Sequence, residues 1–160
     1  VPDIESYTVF SYDGSELSEG EYTWGVKAFM TDGTETLFTK RTLNIDKTAP
    51  GIPVMTTPGS NASHYMSTGS SVTFAWTNPQ NPGTNPSPVT TAILELSETL
   101  SFVNIVYSAS PDIAGSTTLN VDFSEPELGP GTYYWRVRLI DEAGNIGANP
   151  ASGYLLNVLP

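Results

Sequence analysis

At 160 residues the chain has room for one ordinary domain, or for one and a half small ones. Charged residues make up only 14%, and Gly, Pro, Ser, Thr and Asn fill the gaps between apolar runs, the composition of an all-β protein rich in turns. A formal net charge of −11, with six basic residues in no tract, argues against nucleic acid as a partner, and the lack of cysteine excludes a disulfide framework, a cysteine-ligated zinc site or a thiol nucleophile.

Taken from the N-terminus, Tyr7 and Val9 mark a short strand, and Leu17 precedes a longer one over Tyr22–Phe29. In that longer strand Tyr22, Trp24 and Val26 alternate with polar or small residues, the period of two expected when one face is buried. Thr31-Asp-Gly33 turns the chain, and a closing strand runs from Leu37 to Ile45. Asp46-Lys-Thr-Ala-Pro-Gly-Ile-Pro53 follows. Pro50 and Pro53 fix φ, so residues 46–52 form a short, stiff linker.

Residues 53–160 carry seven predicted strands. Val54–Thr57 is the first, followed by a polar loop through Asn61-Ala-Ser-His64. Val72, Phe74 and Trp76 set the inner face of the second, and the Pro- and Asn-rich stretch 78–88 is a loop. Ala92, Leu94 and Leu96 mark the third, Phe102–Ser108 the fourth, and Leu119 with Val121 the fifth. In the sixth, Tyr133, Trp135, Val137 and Leu139 face inward while Tyr134, Arg136 and Arg138 face outward. The chain then turns at Asp141-Glu-Ala-Gly-Asn145, and Tyr154–Val158 is the seventh strand.

Tyr22, Trp24 and Val26 match Tyr133, Trp135 and Val137 at one offset, 111 positions (135 − 24). Pro2-Asp-Ile4 recurs as Pro111-Asp-Ile113, and Leu43-Asn-Ile45 as Leu156-Asn-Val158. A period of this length fits one β-sandwich. Residues 1–45 are therefore expected to be the last three strands of one repeat, and residues 53–160 a complete one. No leader or spanning segment is evident and Val1 is not an initiator, so the chain is expected to be part of something longer. Without the front strands of their sandwich, residues 1–45 are expected to need a further polypeptide, or another molecule, to cover them.

The order Ser71-Val-Thr-Phe-Ala-Trp76, Leu94-Glu-Leu-Ser, Phe102-Val-Asn-Ile-Val-Tyr107 and Leu128-Gly-Pro-Gly-Thr-Tyr-Tyr-Trp-Arg-Val-Arg138 resembles a fibronectin type III domain of the kind found in bacterial surface repeats. The resemblance implies an antiparallel seven-stranded, immunoglobulin-like β-sandwich, but not a function, because the fold serves many roles. One departure concerns register. The more usual pattern places a corner tyrosine six residues after the leucine, at Tyr134, with valines where Arg136 and Arg138 stand. Arginine is not turned inward without a partner, so Tyr133 is the inward residue. Tyr133 and Tyr22 are then expected to bond back to the backbone of the preceding turn. No Arg-Gly-Asp triplet occurs, so integrin recognition is not implied.

Candidate chemistry is sparse. His64, the one histidine, stands in a polar setting with no nucleophile or orienting carboxylate proposed beside it. The acidic groups Glu16/Glu19/Glu21, Asp122/Glu125/Glu127 and Asp141/Glu142 fit solvated turns and lack calcium-loop spacing. Trp24, Trp76 and Trp135 lie on the apolar phase of strands and read as core. Asn61-Ala-Ser63 fits a glycosylation sequon, which carries no meaning in a bacterial protein. Tyr134, Arg136 and Arg138 are the candidate binding residues, able to stack on a sugar or pair with carboxylates of a protein. The competing reading is a solvated strand face with Arg–Glu pairs across strands. No catalytic residue, metal site or cofactor is expected. The chain reads as a non-catalytic module of a cell-surface or secreted protein, acting as spacer, adhesion or protein-interaction element. The alternative is a carbohydrate-binding or accessory module of a secreted polysaccharide-degrading enzyme, with surface polysaccharide as partner.

Overall fold

The computed structural model describes residues 11, 13, 15–111, 117–124 and 128–160. The strand expected at Tyr7–Phe10 lies outside them, as do Glu125 and Glu127. The chain divides into two compact units, Val1–Ile45 and Asp46–Pro160.

In the first unit β1 (Gly20–Val26) and β2 (Thr39–Ile45) form an antiparallel hairpin. Each strand is shorter than its apolar pattern suggested. Residues 27–38 form the connection instead, closed by a bridge between Phe29 and Glu35.

The second unit contains, in chain order, β3 (Val54–Thr57), β4 (Ala62–Tyr65), a 3₁₀ turn (Met66–Thr68), β5 (Ser71–Thr77), β6 (Val89–Ser97), β7 (Ile105–Ala109), β8 (Thr118–Asp122), β9 (Gly131–Asp141) and β10 (Tyr154–Leu159). One sheet has the order β3-β5-β8 and the other β4-β10-β9-β6-β7. Val72, Phe74 and Trp76 from the first sheet meet Leu94, Leu96, Trp135 and Val137 from the second in one buried core. Trp76 and Trp135 are 1% and 0% exposed, and Phe74 meets Trp135 edge-on at 5.1 Å between ring centroids. The second unit is a β-sandwich whose inner faces are the alternating apolar residues of facing strands.

Two strands depart from the expected pattern. Ala62–Tyr65, read as a polar loop, is β4 and pairs parallel with β10, so this unit has eight strands among the described residues rather than seven antiparallel ones. A four-residue edge strand is held by its backbone, as in the bond from Asn61 N to Leu155 O at 2.8 Å, so it leaves little side-chain periodicity to read. The fourth expected strand begins at Ile105 and not at Phe102. Ser97 fastens the intervening turn: its hydroxyl donates to Asn104 O at 2.6 Å and accepts from Thr99 N at 3.1 Å. Phe102 takes the left-handed φ of 52°, which turns it out of any strand.

The turn of the β1–β2 hairpin and the turn between β9 and β10 share three backbone hydrogen bonds and a bridge. Met30 N donates to Thr34 O and Asp141 N to Asn145 O. Gly33 N donates to Met30 O and Gly144 N to Asp141 O, each at 3.0 Å. Thr36 N donates to Ala28 O and Gly147 N to Leu139 O. The bridge Phe29–Glu35 has its counterpart in Ile140–Ile146. Gly33 and Gly144 hold φ of 85° and 86°, a conformation that costs glycine no steric clash. Across the hairpins, Tyr22 faces Leu43 and Trp24 faces Arg41, as Tyr133 faces Leu156 and Trp135 faces Tyr154. Tyr22 Oη donates to Ser18 O at 3.0 Å and Tyr133 Oη to Gly129 O at 2.9 Å, four residues back in both cases.

Candidate functional site

The outward face of the five-stranded sheet is where the three candidate binding residues stand. On β9, alternation turns Tyr133, Trp135, Val137 and Leu139 into the core and leaves Tyr134, Arg136 and Arg138 outside. This is the register chosen from the arginines and not the more usual one. Register then decides the partners: Glu95 on β6 lies directly opposite Arg136, with Ile93 opposite Arg138 and Ser97 opposite Tyr134.

Arg136 Nε donates to Glu95 Oε2 at 2.6 Å and Arg138 Nη2 to Glu95 Oε1 at 3.3 Å, so one carboxylate spans two cations. Glu95 is itself buried, 8% exposed, which is tolerable for a carboxylate only because both oxygens are engaged. The Arg136 guanidinium also sits 4.1 Å from the centroid of the Phe102 ring. Phe102 is buried away from the sandwich core, against Gly153, where an added Cβ would lie 2.7 Å from two ring carbons. The turn after β6 thus lays an aromatic ring against the sheet, and Arg136 lies over that ring. Arg138 Nε is buried with no hydrogen-bond partner.

The structure brings Arg136 and Arg138 together through Glu95, the cross-strand pairing that competed with the binding reading. Tyr134 is half-buried between Ser97 and Leu155 on its neighbouring strands. Sequence reasoning missed Glu95 and Phe102. Glu95 had a signal, a single acid in the outward phase of Leu94-Glu-Leu96, but which residue it faces is a matter of register. Phe102 had none.

The other candidates have structural roles. His64 lies on β4, half-buried and not in a loop, and its Nε2 is 2.7 Å from the Gly69 carbonyl, to which it donates. Asp141 is buried, not solvated: its carboxylate accepts from Asn145 N at 2.8 Å and from Asn145 Nδ2 at 3.0 Å, fastening the turn. Asp122 is held below the usual carboxylate range by bonds from the Ser124 N–H and hydroxyl and from Ser70. Among the described residues no three His, Asp or Glu side chains converge as a metal site. Trp24, expected in a core, is 49% exposed; among the described residues of the first unit, β1 and β2 make up the one sheet.

Segment 46–53 is tied into the second unit. Asp46 Oδ2 accepts from Ser87 N and Oγ, both at 2.6 Å, and Asn145 Nδ2 donates to Asp46 O at 3.2 Å. Partial burial pushes the Asp46 carboxyl up, but the bonds from Ser87 and from Thr48 N outweigh it and hold the group below its ordinary value. Pro50 is buried, with its carbonyl against Gly147.

No family model matches the chain, and no curated protein matches it. Among solved structures it is similar to the fibronectin(III)-like modules of Clostridium thermocellum CbhA, with 14% identity, a TM-score of 0.46 and coverage of 89% of this chain and 64% of that one. It is similar to chicken CNTN1 FN1-FN3 domains at 10% identity and a TM-score of 0.45, covering 86% and 44% of the two chains. A beta-1,2-glucanase from Parabacteroides distasonis gives 14% identity and a TM-score of 0.44, covering 82% and 17%. The chain spans less than two thirds of each of these proteins. The three-stranded sheet β3-β5-β8 packs on the five-stranded sheet β4-β10-β9-β6-β7, and Tyr133 closes the corner. The second unit has a fibronectin type III, immunoglobulin-like β-sandwich fold.

Proposed function

We propose that the chain is a non-catalytic tandem-repeat module of a cell-surface or secreted protein, acting outside the cell as a spacer, adhesion or protein-interaction element. The observation that carries this reading is the recurrence of one hairpin, with matching turn bonds, glycine conformation and tyrosine hydroxyl bond, 111 positions apart (144 − 33). Repeated sandwiches extend a chain and present surfaces without supplying chemistry of their own. On this reading residues 1–45 are the back part of one repeat, 46–52 join it to the next, and 53–160 are a complete one. The outward arginines fit the same role, since each already engages Glu95.

A glycan array probed with the whole chain tests the proposal. No retained binding is expected. Reproducible retention of one polysaccharide class, lost in Arg136→Ala or Tyr134→Ala, would replace it with the carbohydrate-module alternative.

A further inference from the structure

The strongest unexplained feature of the surface is the apolar side of the β1–β2 hairpin. Trp24 and Val26 are 49% and 60% exposed, and Leu43, which faces Tyr22 across the hairpin, is also exposed. Their counterparts Trp135, Val137 and Leu156 are buried to 1% or less. In the second unit two separate contacts achieve that burial. Phe74 from the facing sheet lies on Trp135, and Phe123, just after β8, lies on Tyr133 at 5.4 Å between centroids. Within the sheet, β6 pairs with the free edge of β9, placing Leu96 opposite Trp135 and Leu94 opposite Val137. Among the described residues β1 has neither contact; it pairs with β2 alone. An open edge and an open apolar face on one hairpin form a two-sided docking surface.

We infer that this surface receives the front strands of its own sandwich: a polypeptide segment built on the pattern of residues 53–110. The inference rests on the repeat reading above. One strand of the segment, patterned like Ala92-Ile-Leu-Glu-Leu96, adds to the edge of β1 through its backbone, with apolar residues opposite Trp24 and Val26. A strand patterned like Val72-Thr-Phe-Ala-Trp76 lies across the face and covers Trp24 with an aromatic ring. Trp24 and Arg41 lie 17 positions apart (41 − 24) and Trp135 and Tyr154 lie 19 apart (154 − 135). Yet from Gly20 to Trp24 the facing pairs correspond to those from Gly131 to Trp135, so over this stretch the surface offers the geometry that β9 and β10 offer in the second unit.

The probe is a chimera in which residues 46–110 of this chain are appended ahead of Pro2, the join suggested by the recurrence of Pro2-Asp-Ile4 as Pro111-Asp-Ile113. Both chains are labelled with 5-fluorotryptophan, and the Trp24 resonance is identified by its loss in Trp24→Phe. In the unextended chain a soluble paramagnetic agent broadens Trp24 far more than Trp76 or Trp135. In the chimera the Trp24 broadening is expected to fall about tenfold, and Thr23 and Gly25 amide exchange to slow at least about 100-fold, the difference between an open and a core strand. A second chimera adds Ala28→Leu and Arg41→Tyr, giving the hairpin the inner residues of β9 and β10. Trp24 shielded only in this second chimera overturns the inference for this surface but leaves the repeat reading standing. Trp24 accessible in both overturns the inference and the repeat reading together. A dimer of the unextended chain with Trp24 already shielded also overturns it, because a second copy would then be the occupant.

Discussion

At the scale of single residues, Glu95 and Asp46 matter most, and each works through charge. Glu95 separates two guanidinium groups that project from the same side of β9, so removing its charge leaves two partly buried cations without their counter-ion. Glu95→Gln is expected to lower stability by about 1–3 kcal/mol, between the cost of an exposed pair and that of a buried one. Urea denaturation of Glu95→Gln, Arg136→Ala and the double variant would reveal a coupling of at least about 1 kcal/mol; additive effects would show that the pair is only a neighbour. Asp46 has a folded-state pKa below its ordinary value, so its contribution is present above the unfolded-state pKa of about 4 and is lost as pH falls through the folded one. Asp46→Asn should therefore fall behind the native chain in urea midpoint at pH 6, with the gap closing towards pH 2. A gap that stays constant with pH would contradict the role of the charge.

At the scale of elements, β9 and the segment before β3 show how a sandwich holds its ends. Tyr133 is an inward residue whose hydroxyl escapes the core by reaching back to Gly129 O, which leaves no buried polar atom unpaired there. Tyr133→Phe should cost about 1–2 kcal/mol in a chemical denaturation series, since the ring stays and only the hydroxyl's bonds to Gly129 O and from Gly129 N go. The segment before β3 depends on close backbone approach instead. A Cβ added at Gly147 would stand 2.9 Å from Pro50 O, a backbone atom that must move to admit it. Gly147→Ala is expected to loosen the segment from the second unit, seen as earlier proteolytic cleavage between Asp46 and Pro53. An unchanged cleavage pattern would mean that Asp46 alone fastens it.

At the scale of the whole molecule, the two equivalent tryptophans should respond very differently to the same change. Trp135 is enclosed by Phe74 and Tyr154, and Trp135→Ala is expected to cost about 3–5 kcal/mol, enough to unfold a marginal domain. Trp24, half exposed, should lose less than about 1 kcal/mol on the same substitution in the chain as it stands. Calorimetry with both variants measures the two losses side by side. Equal losses at both positions would show that Trp24 is covered in solution.

The phase of nearly every strand was legible in the sequence, because a period of two is a local property of the backbone. Val72, Phe74 and Trp76, or Tyr133, Trp135 and Val137, declare their inward face without knowledge of a partner. The repeated hairpin was legible for the same reason, since its glycine and tyrosine signals lie within one short stretch. Tertiary structure alone decided who meets whom. Glu95 and Arg136 lie 41 positions apart, and Asp46 and Asn145 lie 99 apart, so their contacts depend on strand register and on a segment's path over the surface. β4 escaped notice because a short edge strand is selected by the unpaired backbone of β10 rather than by its own side chains. Phe102 left its expected strand because a serine-fastened turn and the open space over Gly153 favoured a ring lying against the sheet under Arg136. Burial of Trp24 is the same kind of question: the alternation of β1 names the face to be covered, and only a facing sheet can cover it.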